Sequence, residues 1–236
     1  MKVERQETRI MVPHLSGELI VFHPFLQGTY VDSARKLGKQ MNIMAQTASL
    51  AYDAYKNSKD DIQISNEIKQ IMKNNWFYTA NGNLWSKNHN GVYVQDHPEF
   101  EEDATNSDGL IMDEKDLQSR LSSREEHGIV YSEDGSVRFV PHGFKIGMQT
   151  PEDLAKNAYI RALAGEEGAE KLAYIASQHK EKPYLNALEN VQESIKRVAW
   201  LYSGWYVDRL DVIGNSHGVS PSGFSFRVVE KNFHEK

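Results

Sequence analysis

Three stretches of the chain carry apolar residues at helical spacing on one face only, and that one-sidedness most limits the folds open to it. The first places Ala34, Leu37 and Met41 behind Asp32 or Ser33, either of which can cap a helix start. The second, 45–56, aligns Ala48, Leu50, Ala51, Ala54 and Tyr55. The third, 62–74, aligns Ile64, Ile68, Ile71 and Met72 against a wet side of Glu67, Lys69, Gln70 and Lys73. None is apolar all round, so each needs a partner layer. Strand-like segments supply one: Ile10-Met11-Val12 and 18–22 before the helices, then Trp76-Phe77-Tyr78-Thr79, Leu84-Trp85 and Val92-Tyr93-Val94 after them. The expected class is α+β.

The rest of the chain reads as short elements. Asn-Gly at 81–82 and again at 90–91 predicts tight turns, because both residue types tolerate positive backbone φ. The acidic stretch 99–108 reads as a loop, and 115–124 as a short helix opened by Asp113. Ile129-Val130-Tyr131 and 137–140, joined by Glu133-Asp134-Gly135, predict a hairpin. Thr150-Pro151-Glu152-Asp153 is a helix start with cap, proline and carboxylates in order. Two helices follow, 151–163 and 166–179, broken near Gly165 and stopped by Lys182-Pro183. No long Gly/Ser/Pro linker divides the chain, which predicts a single domain over 1–236 with 97–182 as an insertion.

Composition removes several classes of function. The 236 residues include no cysteine, which excludes disulfides, a thiol nucleophile, Cys-ligated zinc and iron–sulfur centres. A net charge of −6 argues against a nucleic-acid partner. No apolar run approaches the ~20 residues of a membrane helix, and the charged start, 1–9, shows no secretory signal. There is no His-Glu-x-x-His, phosphate-binding loop, Gly-x-Ser-x-Gly elbow or dinucleotide fingerprint. Gly143-Phe144-Lys145-Ile146-Gly147 reads as a turn. His23, His97 and His142 sit beside prolines and turns and read as satisfied structural histidines. The pairs Glu101-Glu102, Glu125-Glu126 and Glu166-Glu167 read as solvated surface, since neighbours in sequence rarely face each other. The expectation is a protein without metal, cofactor or catalysis. A hydrolase pocket between the helices and the sheet is the minor alternative.

One segment departs from the rest. Lys, Glu, Gln and Met make up 55 of the 236 residues, yet none occurs in the 29 positions 201–229, LYSGWYVDRLDVIGNSHGVSPSGFSFRVV, where about seven are expected. Short strands also deplete Lys, Glu and Gln, which accounts for Val228-Val229 but not for the polar run 215–222. The segment's polar and aromatic residues are mainly Tyr, Trp, Ser, Asp, Asn, Gly, His and Arg, residues that combine rigid contacts with adaptable hydrogen bonding.

Ser203-Gly204-Trp205, Arg209, Gly214-Asn215, Pro221-Ser222 and the ending Gly223-Phe224-Ser225-Phe226-Arg227-Val228-Val229 resemble the C-terminal end of C-type lectin-fold proteins. They are most similar to the variable proteins of diversity-generating retroelements, in which adenine mutagenesis of Asn-type codons yields a set lacking Lys, Glu, Gln, Met and Trp. The likeness covers about 30 residues; the ending here carries Phe226 within what is usually Gly-Phe-Arg, which implies a register shift. Neither the Glu-Pro-Asn or Gln-Pro-Asp with Trp-Asn-Asp of calcium-dependent lectins nor the cysteine of formylglycine-generating enzymes is present.

The resemblance implies a C-type lectin-like fold with short antiparallel strands, two or three N-terminal helices and a mixed insertion. It implies a hypervariable, ligand-binding surface on a virion or cell, with a cell-surface protein as partner. With strand alternation, it places Tyr202, Tyr206, Val207, Asp208, Asp211, Ile213, Asn215, Ser216, His217, Val219 and Ser220 on the binding face, and Gly204, Trp205, Gly214, Phe226 and Arg227 in the scaffold. If Arg209, Asp211 and Ile213 share one face, Leu210 and Val212 share the other. A structural or oligomerisation module of a particle is the alternative, with the same face buried between subunits.

Overall fold

The computed structural model describes residues 7–15, 17–57, 61–204 and 207–232. The chain opens with a hairpin of β1 (Thr8–His14) and β2 (Gly17–Gly28), followed by three helices, α1 (Tyr30–Leu37), α2 (Met44–Lys56) and α3 (Ile62–Asn74). Next come β3 (Trp76–Ser86), β4 (Gly91–Asp96), and the two-residue strands β5 (Glu99–Phe100) and β6 (Leu110–Ile111). Helix α4 (Glu114–Arg120) leads into β7 (Leu121–Glu126), β8 (Ile129–Ser132), β9 (Val137–Pro141) and β10 (Gly147–Met148). After α5 (Pro151–Lys156) and α6 (Ala158–Ser177), the chain ends in β11 (Tyr184–Asn186), β12 (Ile195–Tyr202), β13 (Asp211–Ser216) and β14 (Gly223–Asn232).

Among the described residues, twelve strands form one mixed sheet with the path β10-β11-β13-β12-β3-β4-β9-β8-β7. The two ends of the chain meet in it: β14 runs antiparallel to β2, pairing Val228 with Val21, and touches β3 in parallel through Gly223 and Trp76. The fold is therefore α+β, as the one-sided helices require.

Alternation along β3 sorts the two faces. Phe77 and Trp85 join Leu201, Val212 and Leu185 in a core that α2, α3 and α6 close with Leu50, Ile68, Met72, Leu163, Leu172 and Ile175. Burying each such side chain stabilises by about 1.5–3 kcal/mol relative to exposure. On the opposite face Tyr78, Ala80, Leu84 and Tyr93 meet Tyr30, Leu110, Met112 and Leu117. The segment 97–182 contributes to both layers: β9 extends the sheet beside β4, and α6 lies on α2. Gly168 permits that approach, since a Cβ there meets Ala164 Cβ at 2.9 Å and Ala45 Cα at 3.4 Å.

Several local expectations change. The cap of α1 is Thr29, whose Oγ1 accepts from the Asp32 N–H, rather than Asp32 or Ser33; the helix ends at Gly38 (φ +55°), before Met41. Asn81-Gly82-Asn83 is not a turn but the middle of β3. Its amides are claimed by neighbouring elements: Asn81 Oδ1 accepts from Met44 N–H (2.7 Å), and Asn83 Nδ2 donates to Gly214 O (3.0 Å). Gly82 leaves room for Pro98 and Met112. Within 99–108, Glu99 and Phe100 pair with Ile111 and Leu110. The predicted helix 115–124 stops at Arg120 and continues as β7. The predicted helix 151–163 breaks at Asn157, whose Oδ1 accepts from Tyr159 N–H. Gly165 (φ +70°) breaks α6 where expected.

Candidate functional site

Strand β13 lies inside the sheet, antiparallel to β12 and parallel to β11, with Trp200 opposite Ile213, Tyr202 opposite Asp211, and Asn186 opposite Ile213. Its backbone is held on both sides, and its side chains divide by alternation. Val212 and Gly214 face the helices, and Leu210 just ahead of the strand is buried with them. Gly214 O accepts from Asn83 Nδ2 and from Trp85 Nε1 (3.2 Å), and a Cβ at Gly214 would collide with the Tyr159 phenol.

The other face is covered over β3, β4 and β9 by Pro98, Leu110, Met112 and Leu117. That cover does not extend to the β12–β13–β11 end. There Trp200, Tyr202, Ile213, Asn215, Tyr184 and Asn186 are half-buried, with Asn215 Nδ2 donating to Asn186 Oδ1 (2.9 Å). Trp76 joins them from β3, its ring 4.5 Å from that of Trp200, while Tyr78 stacks on Trp200 at 5.7 Å.

Asp211 departs from the expected outward set. It is only 7 % exposed, and Arg209 Nε donates to its Oδ1 (2.6 Å), with the guanidinium resting 4.6 Å over the Tyr184 ring. Burial pushes the Asp211 carboxyl above the usual range, with Arg209 pulling it back. Arg209 therefore covers Asp211, and the carboxylate is committed within the strand.

Loops flank both ends of β13. At one end Val207 is 40 % exposed. Beside it the exposed Asp208 accepts from His179 Nδ1 (2.8 Å), a bond that holds its carboxyl below the usual range. Ser203 N–H donates to Met72 O, and Gly204, half-buried, sits where a Cβ would meet Val207 O at 2.9 Å. Trp205 and Tyr206 lie outside the described residues.

At the other end, the backbone of 217–222 is clasped: Ser107 N–H donates to His217 O (2.9 Å), Tyr30 N–H to Gly218 O (3.0 Å) and Tyr78 Oη to Ser220 O (3.2 Å). Gly218 has φ +72°, and a Cβ there meets Tyr30 Cβ at 2.8 Å. The side chains of His217 and Val219 (56 % exposed) point to solvent, while Ser216 and Ser220 are half-buried, their hydroxyls accepting from Gly218 and Ser222 N–H.

The register shift expected at Phe226 is visible as a bulge between Ser225 and Arg227 in the β14–β2 pairing. Asn42 satisfies the displaced backbone: its Oδ1 accepts from Phe226 N–H (2.8 Å) and its N–H donates to Phe226 O (3.1 Å). The Phe226 ring is buried near Phe25 and Phe77, and Arg227 lies 3.8 Å over Phe22 while donating to Glu7 (2.6 Å).

The structure therefore brings Tyr202, Ile213, Asn215 and Ser216 onto one open surface, with His217, Val219 and Ser220 at its edge and Val207 and Asp208 beyond its far end. Trp76, Trp200, Tyr184 and Asn186 belong to the same surface and escape sequence reasoning. Alternation back from Tyr202 signals Trp200, whereas the parallel pairing of β11 leaves no local trace. Of the histidines read as satisfied, His23 is, through Glu67 (3.1 Å). His97 Nδ1 and both nitrogens of His142 are buried without a partner, with burial holding both rings below their usual pKa.

Among the described residues no group of three or more His, Asp or Glu is placed to hold a metal ion, and no helix is long and apolar enough to cross a membrane. No protein-family model, no curated protein and no solved structure matches the chain.

Proposed function

We propose that the chain is a ligand-binding display protein, presenting the β12–β13–β11 surface and the 217–222 loop to a macromolecular partner on a C-type lectin-type frame. The observation that carries the reading is the division of β13: Val212 and Gly214 are locked against the helical layer, while Ile213 and Asn215 emerge where the opposite cover stops. The antiparallel pairing of the N-terminal strand β2 with the last strand β14, with helices between, supports the lectin-type frame. The loss of Lys, Glu, Gln and Met over 201–229 supports variation by adenine mutagenesis. Half-exposed aromatic and branched side chains gathered on one surface serve recognition more often than solubility.

The test is sequencing of this gene across many isolates of its source. Replacements concentrated at Tyr202, Tyr206, Val207, Asp208, Ile213, Asn215, Ser216, His217, Val219 and Ser220, and confined to adenine-bearing template codons, are expected. Leu201, Val212, Gly214 and Phe226 stay constant. Replacements spread evenly along 195–232 refute the reading. A constant oligomer in light scattering that occludes Ile213 and Asn215 transfers the surface to particle assembly instead.

A further inference from the structure

A cavity of about 460 Å³, lined by none of the display-surface residues, lies between α1 and the start of the 97–120 cover. Its walls are mainly apolar, built from Tyr30, Ala34, Pro98 and Phe100, with Arg35 and Lys39 at the rim. The volume falls within the range of small-molecule sites.

Its walls are held in place. Arg35 Nη2 donates to Glu102 O (2.6 Å) and Ala104 O (2.9 Å), tying α1 to the opposite wall, and His97 N–H donates to Ala80 O (2.7 Å) at the base of that wall. The rings of Tyr30 and Phe100 meet edge-on at 5.6 Å. Tyr30 is the polar member of these walls: it is 1 % exposed, lines the cavity, and its hydroxyl makes no hydrogen bond among the described residues. Burial pushes the phenol far above its usual pKa, so it remains a neutral donor.

We infer that this cavity is a binding site for a small, largely apolar organic molecule carrying one hydrogen-bond acceptor, which takes the Tyr30 hydroxyl as its donor. The aryl walls suit a flat body, and the lining charges of both signs, Arg35 and Lys39 against Glu99, Glu101 and Glu102, favour an uncharged ligand over an ion. The site is separate from the display surface and stands whether or not that surface varies.

The probe is the neutral aryl ketone 6-propionyl-2-dimethylaminonaphthalene, which has a flat body, one carbonyl acceptor and an emission that shifts to the blue in apolar surroundings. Titration into the full chain is expected to give saturable one-to-one binding with a blue shift. Ala34→Phe, which fills the cavity, is expected to weaken binding at least ten-fold; Tyr30→Phe, which removes only the donor, about five-fold. Near-UV circular dichroism checks that both variants keep the native core, and Ile213→Arg on the display surface leaves binding unchanged. No saturable shift, or binding by Ala34→Phe and Tyr30→Phe equal to that of the unaltered chain with the native core intact, overturns the site. Loss of binding in Ile213→Arg overturns it too, by moving the dye to the display surface.

Discussion

Replacing Gly214 by alanine probes the register on which the display surface depends. A Cβ at Gly214 lands on the Tyr159 phenol, 2.7 Å from Cζ and 2.8 Å from Cε1, closer than carbon atoms approach. Tyr159 is fully buried, stacked on Phe144 at 5.2 Å and packed on Trp85 at 5.3 Å, so the ring has nowhere to move. Overpacking of this kind costs about 1–3 kcal/mol, and the trapped ring places Gly214→Ala near 3. In a chain of this size that lowers the melting temperature by roughly 6–12 °C. Ile213→Thr, one residue away on the open face, is expected to cost about 1 kcal/mol or less. Urea unfolding followed by tryptophan fluorescence measures both. Adding Tyr159→Leu to Gly214→Ala makes room for the methyl group, so the double variant is expected to be at least about 1 kcal/mol more stable than the sum of the single changes. If Gly214→Ala is neutral and Ile213→Thr costs about 2 kcal/mol or more, the strand is one residue out of register and the inward and outward sets exchange.

Two further tests address the frame. Arg138 is 7 % exposed and grips Asp96 through two bonds of 2.6 and 2.8 Å, while also donating to Ala162 O and Gly135 O. Arg138→Met is expected to cost about 3–5 kcal/mol by leaving a buried carboxylate unpaired. Adding Asp96→Asn recovers part of it in the same urea assay, and a cost under about 1 kcal/mol for Arg138→Met refutes the pairing. The second test is pH. Burial lowers the pKa of His14, His97 and His142 below the ordinary value near 6.5, so the unfolded chain takes up protons that the folded chain refuses. Stability from these groups is present above about 6.5 and lost as pH falls, so the melting temperature is expected to drop between about pH 7.5 and 6. Asp96, which burial pushes up to about 6, acts in the opposite sense, starting in the lower part of that window and growing below it, so it offsets only part of the drop. A melting temperature that is flat or rises over the same interval contradicts the assignment, and His142→Phe makes the slope shallower.

Helix α3 was legible to the residue because its stripe of Ile64, Ile68, Ile71 and Met72 is a local, periodic signal, and Asp61 caps it through Ile64 N–H. The 81–83 stretch misleads for the opposite reason. Asn-Gly-Asn favours a turn only while its amides lack partners, and here Met44, Asp96 and Gly214 supply them from distant parts of the chain. The same limit governs the candidate site. Alternation separates Ile213 from Val212 without a structure, but it cannot foresee that Arg209 folds back over Asp211, nor that β11 arrives in parallel with Tyr184 and Asn186. The departure at Phe226 was visible as a letter out of place. Its resolution by Asn42, 184 residues away, was not.

The separation of held from open positions has a physical basis that does not depend on which side chains occupy the open ones. An interior strand with ladder bonds to β12 and β11 keeps its backbone whatever emerges from its outer face, because β-strand side chains there add packing rather than hydrogen bonds to the ladder. The 217–222 loop achieves the same without a ladder. Three donors from Ser107, Tyr30 and Tyr78 hold its carbonyls, and Gly218 takes the positive φ and the close contact that a side chain would disturb. Val219 therefore answers to solvent, and His217 to solvent and the exposed Asp108 carboxylate 3.9 Å away, so exchanges there fall within the roughly ±0.5 kcal/mol typical of surface positions. Gly218, Gly214 and Gly223 carry the opposite burden: each leaves space for an aromatic side chain, Tyr30, Tyr159 or Tyr78, that anchors the tail to the body of the protein. A surface free to change thus rests on three positions that are not.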